Sequence, residues 1–202
     1  MINPEHISTY EHDDYVLMIL DHLQNFSLDD EMACLPPWRR DTVMAIHHEQ
    51  GKRQSVAAYR LLMMLLERHC GISGHVAMAY HDGGKPYLPH HPNIHFNMSH
   101  CRCAVACVVA KRNVGVDIES IRRFNDSLAR HVLSDDEYLM VTASPSPQRE
   151  FIRLWTMKES KLKMTGTGLR TDIKTVLYND ESIYDTIIND NYFVTVCLDN
   201  SL

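Results

Sequence analysis

Three short stretches of the chain hold side chains able to handle phosphate and a divalent cation. In Val114-Gly115-Val116-Asp117-Ile118-Glu119 the residues alternate, so Val114, Val116 and Ile118 face one way while Asp117 and Glu119 share the other side. Two residues along a strand span about 7 Å, which lets both carboxylates reach one cation. Mg²⁺ suits such a pair, because it prefers hard oxygen ligands and typically takes one or two carboxylates together with substrate phosphates. Taken alone, the same pattern is also that of an exposed polar strand face. The second stretch is Phe151 to Lys163, where Phe151, Trp155, Glu159 and Lys163 stand four apart on one side of a helix. Glu159 and Lys163 could be an ordinary surface ion pair. Their continuity with an apolar stripe argues instead for partial burial, with Glu159 as a third carboxylate for the cation and Lys163 as a mobile charge for a phosphate oxygen. The third stretch, Ile94 to His100, reads as a strand ending in Ser99-His100. Neighbours on a strand point apart, so these two do not form a catalytic pair, but both can donate to phosphate oxygens.

The elements that must position these residues follow from periodicity and breakers. Residues 13–24 and 41–70 read as helices, the second ended by Cys70-Gly71. Val76 to Tyr80 and Ile94 to Met98 read as strands separated by a loop rich in Gly and Pro. Cys103 to Ala110 and Val114 to Glu119 are strands, and the short link Lys111-Arg112-Asn113 predicts an antiparallel hairpin. Residues 125–141 and Arg149 to Met164 are helix-like, the latter stopped by Gly166 and Gly168. Strands near 173–178, 183–188 and 192–198 complete an α+β pattern without regular βαβ alternation.

Composition narrows the partners. The 202 residues are 45% hydrophobic and 23% charged, enough for a packed core. The formal charge is −6, yet residues 1–31 carry eight carboxylates and no Lys or Arg, so the remainder is net positive. Its two basic stretches, Trp38 to Cys70 and Glu150 to Arg170, suit a phosphate-rich small molecule or an acidic protein face; long nucleic acid asks for a more basic domain. The longest wholly apolar runs, Cys103 to Ala110 and Leu61 to Leu66, are far short of the roughly 20 residues of a membrane-spanning helix. The N-terminus lacks a signal or transit pattern, which predicts a cytoplasmic protein. The six cysteines form no CxxC pair and are expected reduced, Cys103 and Cys107 serving as small hydrophobes in a buried strand.

Taken together and in order, Gly84-Lys85-Pro86, Phe96-Asn97-Met98-Ser99-His100, Val114 to Glu119, and Leu154-Trp155-Thr156-Met157-Lys158-Glu159-Ser160 with Lys163 resemble the motifs of the 4′-phosphopantetheinyl transferase superfamily. The similarity is to the longer, surfactin-synthetase-activating type. It implies two similar α+β halves about a pseudo-twofold, 1–111 and 112–202, with the active site in the cleft between them and no need of a second chain, hence a monomer. It implies Mg²⁺ on Asp117, Glu119 and Glu159; coenzyme A as co-substrate, with Lys163 and His100 on its pyrophosphate and Lys85 and Ser99 toward the nucleotide; and Lys52, Arg53 and Arg60 near its 3′-phosphate. Glu137 resembles a further acidic position. The activity implied is transfer of the 4′-phosphopantetheine arm to a serine of an acyl or peptidyl carrier protein, with Asp117, Glu159 and Lys163 at its centre. Either Glu159 or a water on the cation takes the hydroxyl proton. Lys158, Lys161 and Arg170 would face the carrier's acidic helix. Two other classes use the same residues: a Mg²⁺-dependent phosphodiesterase or nucleotidyl transferase, and a non-catalytic binder of coenzyme A or a carrier protein.

Overall fold

Tyr15-Val-Leu-Met-Ile-Leu-Asp21 is a strand, not part of the helix its unbroken apolar run suggests. The reason is that both faces are buried. Met18 and Leu20 enter one hydrophobic core while Tyr15, Leu17 and Ile19 enter another. A strand covered on both sides loses the polar alternation by which half-buried strands are recognised.

The computed structural model describes residues 2–168 and 171–200. In chain order its strands are β1 (Ile7–Glu11), β2 (Tyr15–Asp21), β3 (Ala79–Tyr80), β4 (Pro86–Tyr87), β5 (His95–His100), β6 (Ala104–Ala110), β7 (Val114–Ser120), β8 (Ile183–Ile188) and β9 (Tyr192–Leu198). The helices are α1 (Leu28–Ala33), α2 (Pro37–Met44), α3 (Glu49–Cys70), α4 (Asp126–Val132), α5 (Asp135–Ala143) and α6 (Pro147–Thr165). One antiparallel sheet has the order β1-β2-β6-β5, a second β7-β9-β8, and β3 pairs with β4 in a small ribbon. The class is α+β, as the sequence indicates.

β6 repeats the logic of β2. Val105, Cys107 and Val109 meet the α3 core, whereas Ala104, Ala106, Val108 and Ala110 meet the core shared with β7 and β9. The four-stranded sheet is thus a middle layer between α3 and the three-stranded sheet. α4, α5 and α6 form a third cluster with Phe193 of β9.

Several expected elements change. β6 and β7 do not form a hairpin, because β2 and β5 occupy both edges of β6 and β7 pairs with β9. The link 111–113 carries the chain from one sheet to the other. Residues 41–70 split, α2 starting after Pro36 and α3 running to Gly71, whose φ of 67° ends it. Residues 125–141 divide at Leu133-Ser134, where Ser134 and Glu137 form a capping box for α5. The expected strand at 76–80 shrinks to Ala79–Tyr80, and 173–175 is a 3₁₀ turn. The acidic first 31 residues, which match no motif, supply β1, β2 and part of α1. There Glu31 is fully buried, accepting from the Ile2 amide at 2.6 Å and pairing with Arg60 Nε at 2.7 Å.

Candidate active site

Gly115 sets how close the carboxylate strand comes to the basic helix. A Cβ at this position would stand 2.0 Å from the Ser160 carbonyl oxygen and 2.5 Å from the Met164 amide nitrogen. Only glycine lets the α6 backbone lie against β7 in this way. The close approach brings the turns of α6 that carry Glu159 and Lys163 to Asp117, two residues along the strand.

Lys163 Nζ donates to Asp117 Oδ1 at 2.6 Å and to Ser99 Oγ at 2.7 Å. Ser99 Oγ in turn donates to Asp117 Oδ1 at 2.9 Å and accepts from the Ile118 amide at 3.3 Å. One donor and two acceptors exhaust a hydroxyl, so Ser99 is saturated by protein groups. Lys163 pairs across to β7 instead of with Glu159 one turn before it. Asp117 is 6% exposed, and its Oδ2 is buried without a hydrogen-bond partner. Burial, and then the charge of Asp117, pushes the Glu159 carboxyl above the ordinary carboxylate range. Burial raises Glu119 as well, Asp117 adding to the rise and Arg122 opposing it. The His100 imidazole is held below its usual value by desolvation and then by the Lys163 ammonium, so it is neutral at pH 7.

Lys85 reaches the site from the loop before β4. Its ammonium donates to Asn113 Oδ1, to the Val114 carbonyl at 3.1 Å and to the Met164 carbonyl at 2.6 Å, and burial pushes its pKa down to about 8. All three ammonium protons are therefore used to tie this loop to the start of β7 and the end of α6. Beside it opens a cavity of about 340 Å³ bordered by Gly84, Lys85, Asn97, Glu159 and Lys163. An adjoining cavity of about 730 Å³ is bordered by Lys85, Tyr87, His95 and Asn113.

The structure thus brings Asp117, Glu119, Glu159, Lys163, Ser99, His100 and Lys85 to one region. It places the three basic residues of α3 elsewhere. Lys52 and Arg53 border a separate cavity of about 530 Å³ with Asp29 and Glu49, and Arg53 is spent on Glu49 and the Phe26 carbonyl. Arg60 is taken by Glu31. Glu137 pairs with Lys158 at 2.8 Å. Lys158 is fully buried and also donates to the Ile173 carbonyl, so the expectation that it faces a carrier protein is corrected: a buried ammonium needs internal acceptors, and these hold it. Lys161 pairs with Asp180 at 2.7 Å, and Arg170 lies outside the described residues. Asn97, which the sequence offers only as part of a motif, is 4% exposed and borders the cavity; its signal is its place two residues before Ser99 on one face of β5.

Among the described residues no three His, Cys, Asp or Glu side chains stand close enough to ligate an ion as they are, and Lys163 holds Asp117 Oδ1. The donor chemistry nevertheless suits a hard cation. All candidate ligands are carboxylate oxygens, Asp117 Oδ2 is buried and unpartnered, and the charges of Asp117, Glu119 and Glu159 burden one another.

Residues 113–195 match the family model of the 4′-phosphopantetheinyl transferase superfamily. The match takes in β7 and α6, so it covers Asp117, Glu119, Glu159 and Lys163, while Lys85, Ser99 and His100 precede it. Among individual relatives, a 4′-phosphopantetheinyl transferase of Bacillus subtilis is 29% identical over 144 residues, 70% of this chain and 64% of the relative. The 4′-phosphopantetheinyl transferase Sfp of Bacillus subtilis strain 168 is 27% identical over 141 residues, 68% and 63% of the two chains. The 4′-phosphopantetheinyl transferase psf-1 of Bacillus pumilus is 39% identical over 88 residues, 43% and 38%. The chain therefore spans less than two thirds of the length of these curated relatives.

Proposed function

We propose that this protein transfers the 4′-phosphopantetheine arm of coenzyme A to a serine of an apo acyl or peptidyl carrier protein, releasing 3′,5′-ADP. The observation that carries the reading is Glu159 and Lys163 of α6 bordering a cavity, with Lys163 paired to Asp117 of β7, on a segment, 113–195, that matches the phosphopantetheinyl transferase family model.

In the reaction the carrier serine oxygen bonds to the β-phosphorus of coenzyme A, the bond from that phosphorus to the 3′,5′-ADP oxygen breaks, and the hydroxyl proton must find an acceptor. Glu159 is the base in this reading. It borders the cavity, where a carboxylate can accept the proton of an incoming hydroxyl. Lys163 and His100 balance the charge that grows on the phosphate oxygens, the lysine as a full charge and the neutral imidazole as a hydrogen-bond donor. Asp117, Glu119 and Glu159 are the residues that would hold Mg²⁺, whose charge would be set against the pyrophosphate. Lys85 positions the loop that borders the nucleotide side of the cavity.

The same reading takes the chain as two halves, 1–111 and 112–202. It is supported by the first sheet's ladder ending at Ala110 and the second's beginning at Val114. No helix is long and apolar enough to cross a membrane among the described residues. The charge pattern fits action on coenzyme A and a carrier protein and not on nucleic acid; a monomeric cytoplasmic protein without a membrane partner is part of the same proposal.

Intact mass spectrometry of an apo acyl carrier protein, incubated with coenzyme A and Mg²⁺, tests this. The expected result is one phosphopantetheine mass added by the natural protein and none by Asp117→Ala. Coenzyme A consumed without any gain on several carriers would move the activity to phosphodiester hydrolysis and overturn the proposal.

A further inference from the structure

β7 bears two of the three carboxylates, yet it is an edge strand: β9 pairs with one side only. Its outward amides at Val116 and Ile118 face β5, itself the edge of the other sheet. No backbone ladder joins these edges. Two side chains take its place, the Val116 amide donating to Asn97 Oδ1 at 3.2 Å and the Ile118 amide to Ser99 Oγ at 3.3 Å. Asn97 and Ser99 are two apart on β5 and share a face, and Val116 and Ile118 are two apart on β7, so the rungs match in period. Both side chains are more than nine-tenths buried, at 4% and 7% exposure.

We propose that Asn97 is a positioning residue, the second rung of a side-chain ladder that fixes the carboxylate strand against β5 and so sets Asp117 and Glu119 relative to Glu159 and His100. The proposal rests on the reading of the carboxylates as a cation site. Ser99 contacts Asp117 and Lys163 directly, whereas the hydrogen bond of Asn97 goes to the β7 backbone. Without its oxygen the Val116 amide is left in a buried place with no acceptor, which favours a shift of the strand toward water. Partners that orient ligand carboxylates in this indirect way typically change metal affinity by about 10–100-fold when removed.

The test compares the natural protein with Asn97→Ala, with Asn97→Asp, which keeps the acceptor oxygen, and with Leu61→Ala, a cavity in the α3 core remote from the ladder. Two readouts are taken well below the melting temperature: amide hydrogen exchange at Val116, and Mn²⁺ binding followed by electron paramagnetic resonance. The expected result is fast exchange at Val116 and about 10-fold weaker Mn²⁺ binding in Asn97→Ala alone, with Asn97→Asp close to the natural protein in exchange. Equal Val116 protection in Asn97→Ala and the natural protein would overturn the proposal, as would equal loss of Mn²⁺ affinity in Leu61→Ala. If the natural protein takes up no Mn²⁺, the cation-site reading falls, while the exchange result still decides whether Asn97 holds the strand.

Discussion

Glu159 shows at the scale of one residue how the site's chemistry works against the fold's stability. Its carboxyl is raised by burial and by Asp117, so the folded state binds its proton more tightly than the unfolded chain does. Stability from such a group is fully present below the ordinary glutamate pKa and is lost as pH rises through the elevated folded value. At neutral pH the ionised Glu159 is therefore a burden in the metal-free protein. Glu159→Gln removes that charge and keeps the volume, so we expect the metal-free variant to melt higher than the natural protein at pH 7.5. The gap should narrow as pH falls through about 4 and close below about pH 3.5, where the natural residue is protonated in both states. Added Mg²⁺ should raise the melting temperature of the natural protein more than that of the variant, reversing the advantage, and the variant should transfer at most about one hundredth as fast if it has lost its base. A variant that melts lower than the natural protein at pH 7.5 would contradict the burial argument.

Between elements, the decisive contact is α6 against β7, and Gly115 is its spacer. A methyl group there meets main-chain atoms, which no rotamer change can move aside. Gly115→Ala should cost about 3 kcal/mol, or about 6–12 °C in a chain of this length, and should lower the transfer rate even at temperatures where the variant is fully folded, since Glu159 and Lys163 move with the helix. Calorimetry and single-turnover assays at 15 °C separate the two effects. The contact explains what the sequence could and could not disclose. The faces of β7 and the stripe on α6 were legible because each is set by local period: Val114, Val116 and Ile118 are buried, and Phe151 leads along the helix to Glu159 and Lys163. The saturation of Ser99 was not legible, because it depends on how two sheets meet. The missing β6–β7 hairpin fails for a related reason, since strand pairing is decided by competing edges and not by the length of the link. β2 reads as part of a helix in the sequence because burial on both faces erases the period that identifies a strand.

The same doubly buried β2 makes the whole molecule one cooperative unit. Its Tyr15, Leu17 and Ile19 join Val114, Val116, Val194 and Val196 of the second sheet in a single core, and its other face belongs to the α3 core. Polar contacts follow the same path: Tyr192 of β9 donates to Asp21 of β2 at 2.8 Å, Tyr15 donates to Asp185 of β8, and Arg112 pairs with Asp14. Neither sheet can open without exposing a face of the other, so unfolding should be two-state although the strands divide into two ladders. The chain's two tryptophans allow a direct check, because Trp38 lies in α2, beside Tyr59 of α3, and Trp155 lies in α6, beside Phe151. Trp155→Phe leaves a probe in the first region and Trp38→Phe a probe in the second. Adding Tyr192→Phe to each removes the hydrogen bond to Asp21, at a cost of about 1 kcal/mol. A cooperative molecule gives each pair the same drop in denaturation midpoint, whichever tryptophan reports it. If Tyr192→Phe shifts only the transition seen by Trp155, the halves unfold separately, and the shared core around β2 does not couple them.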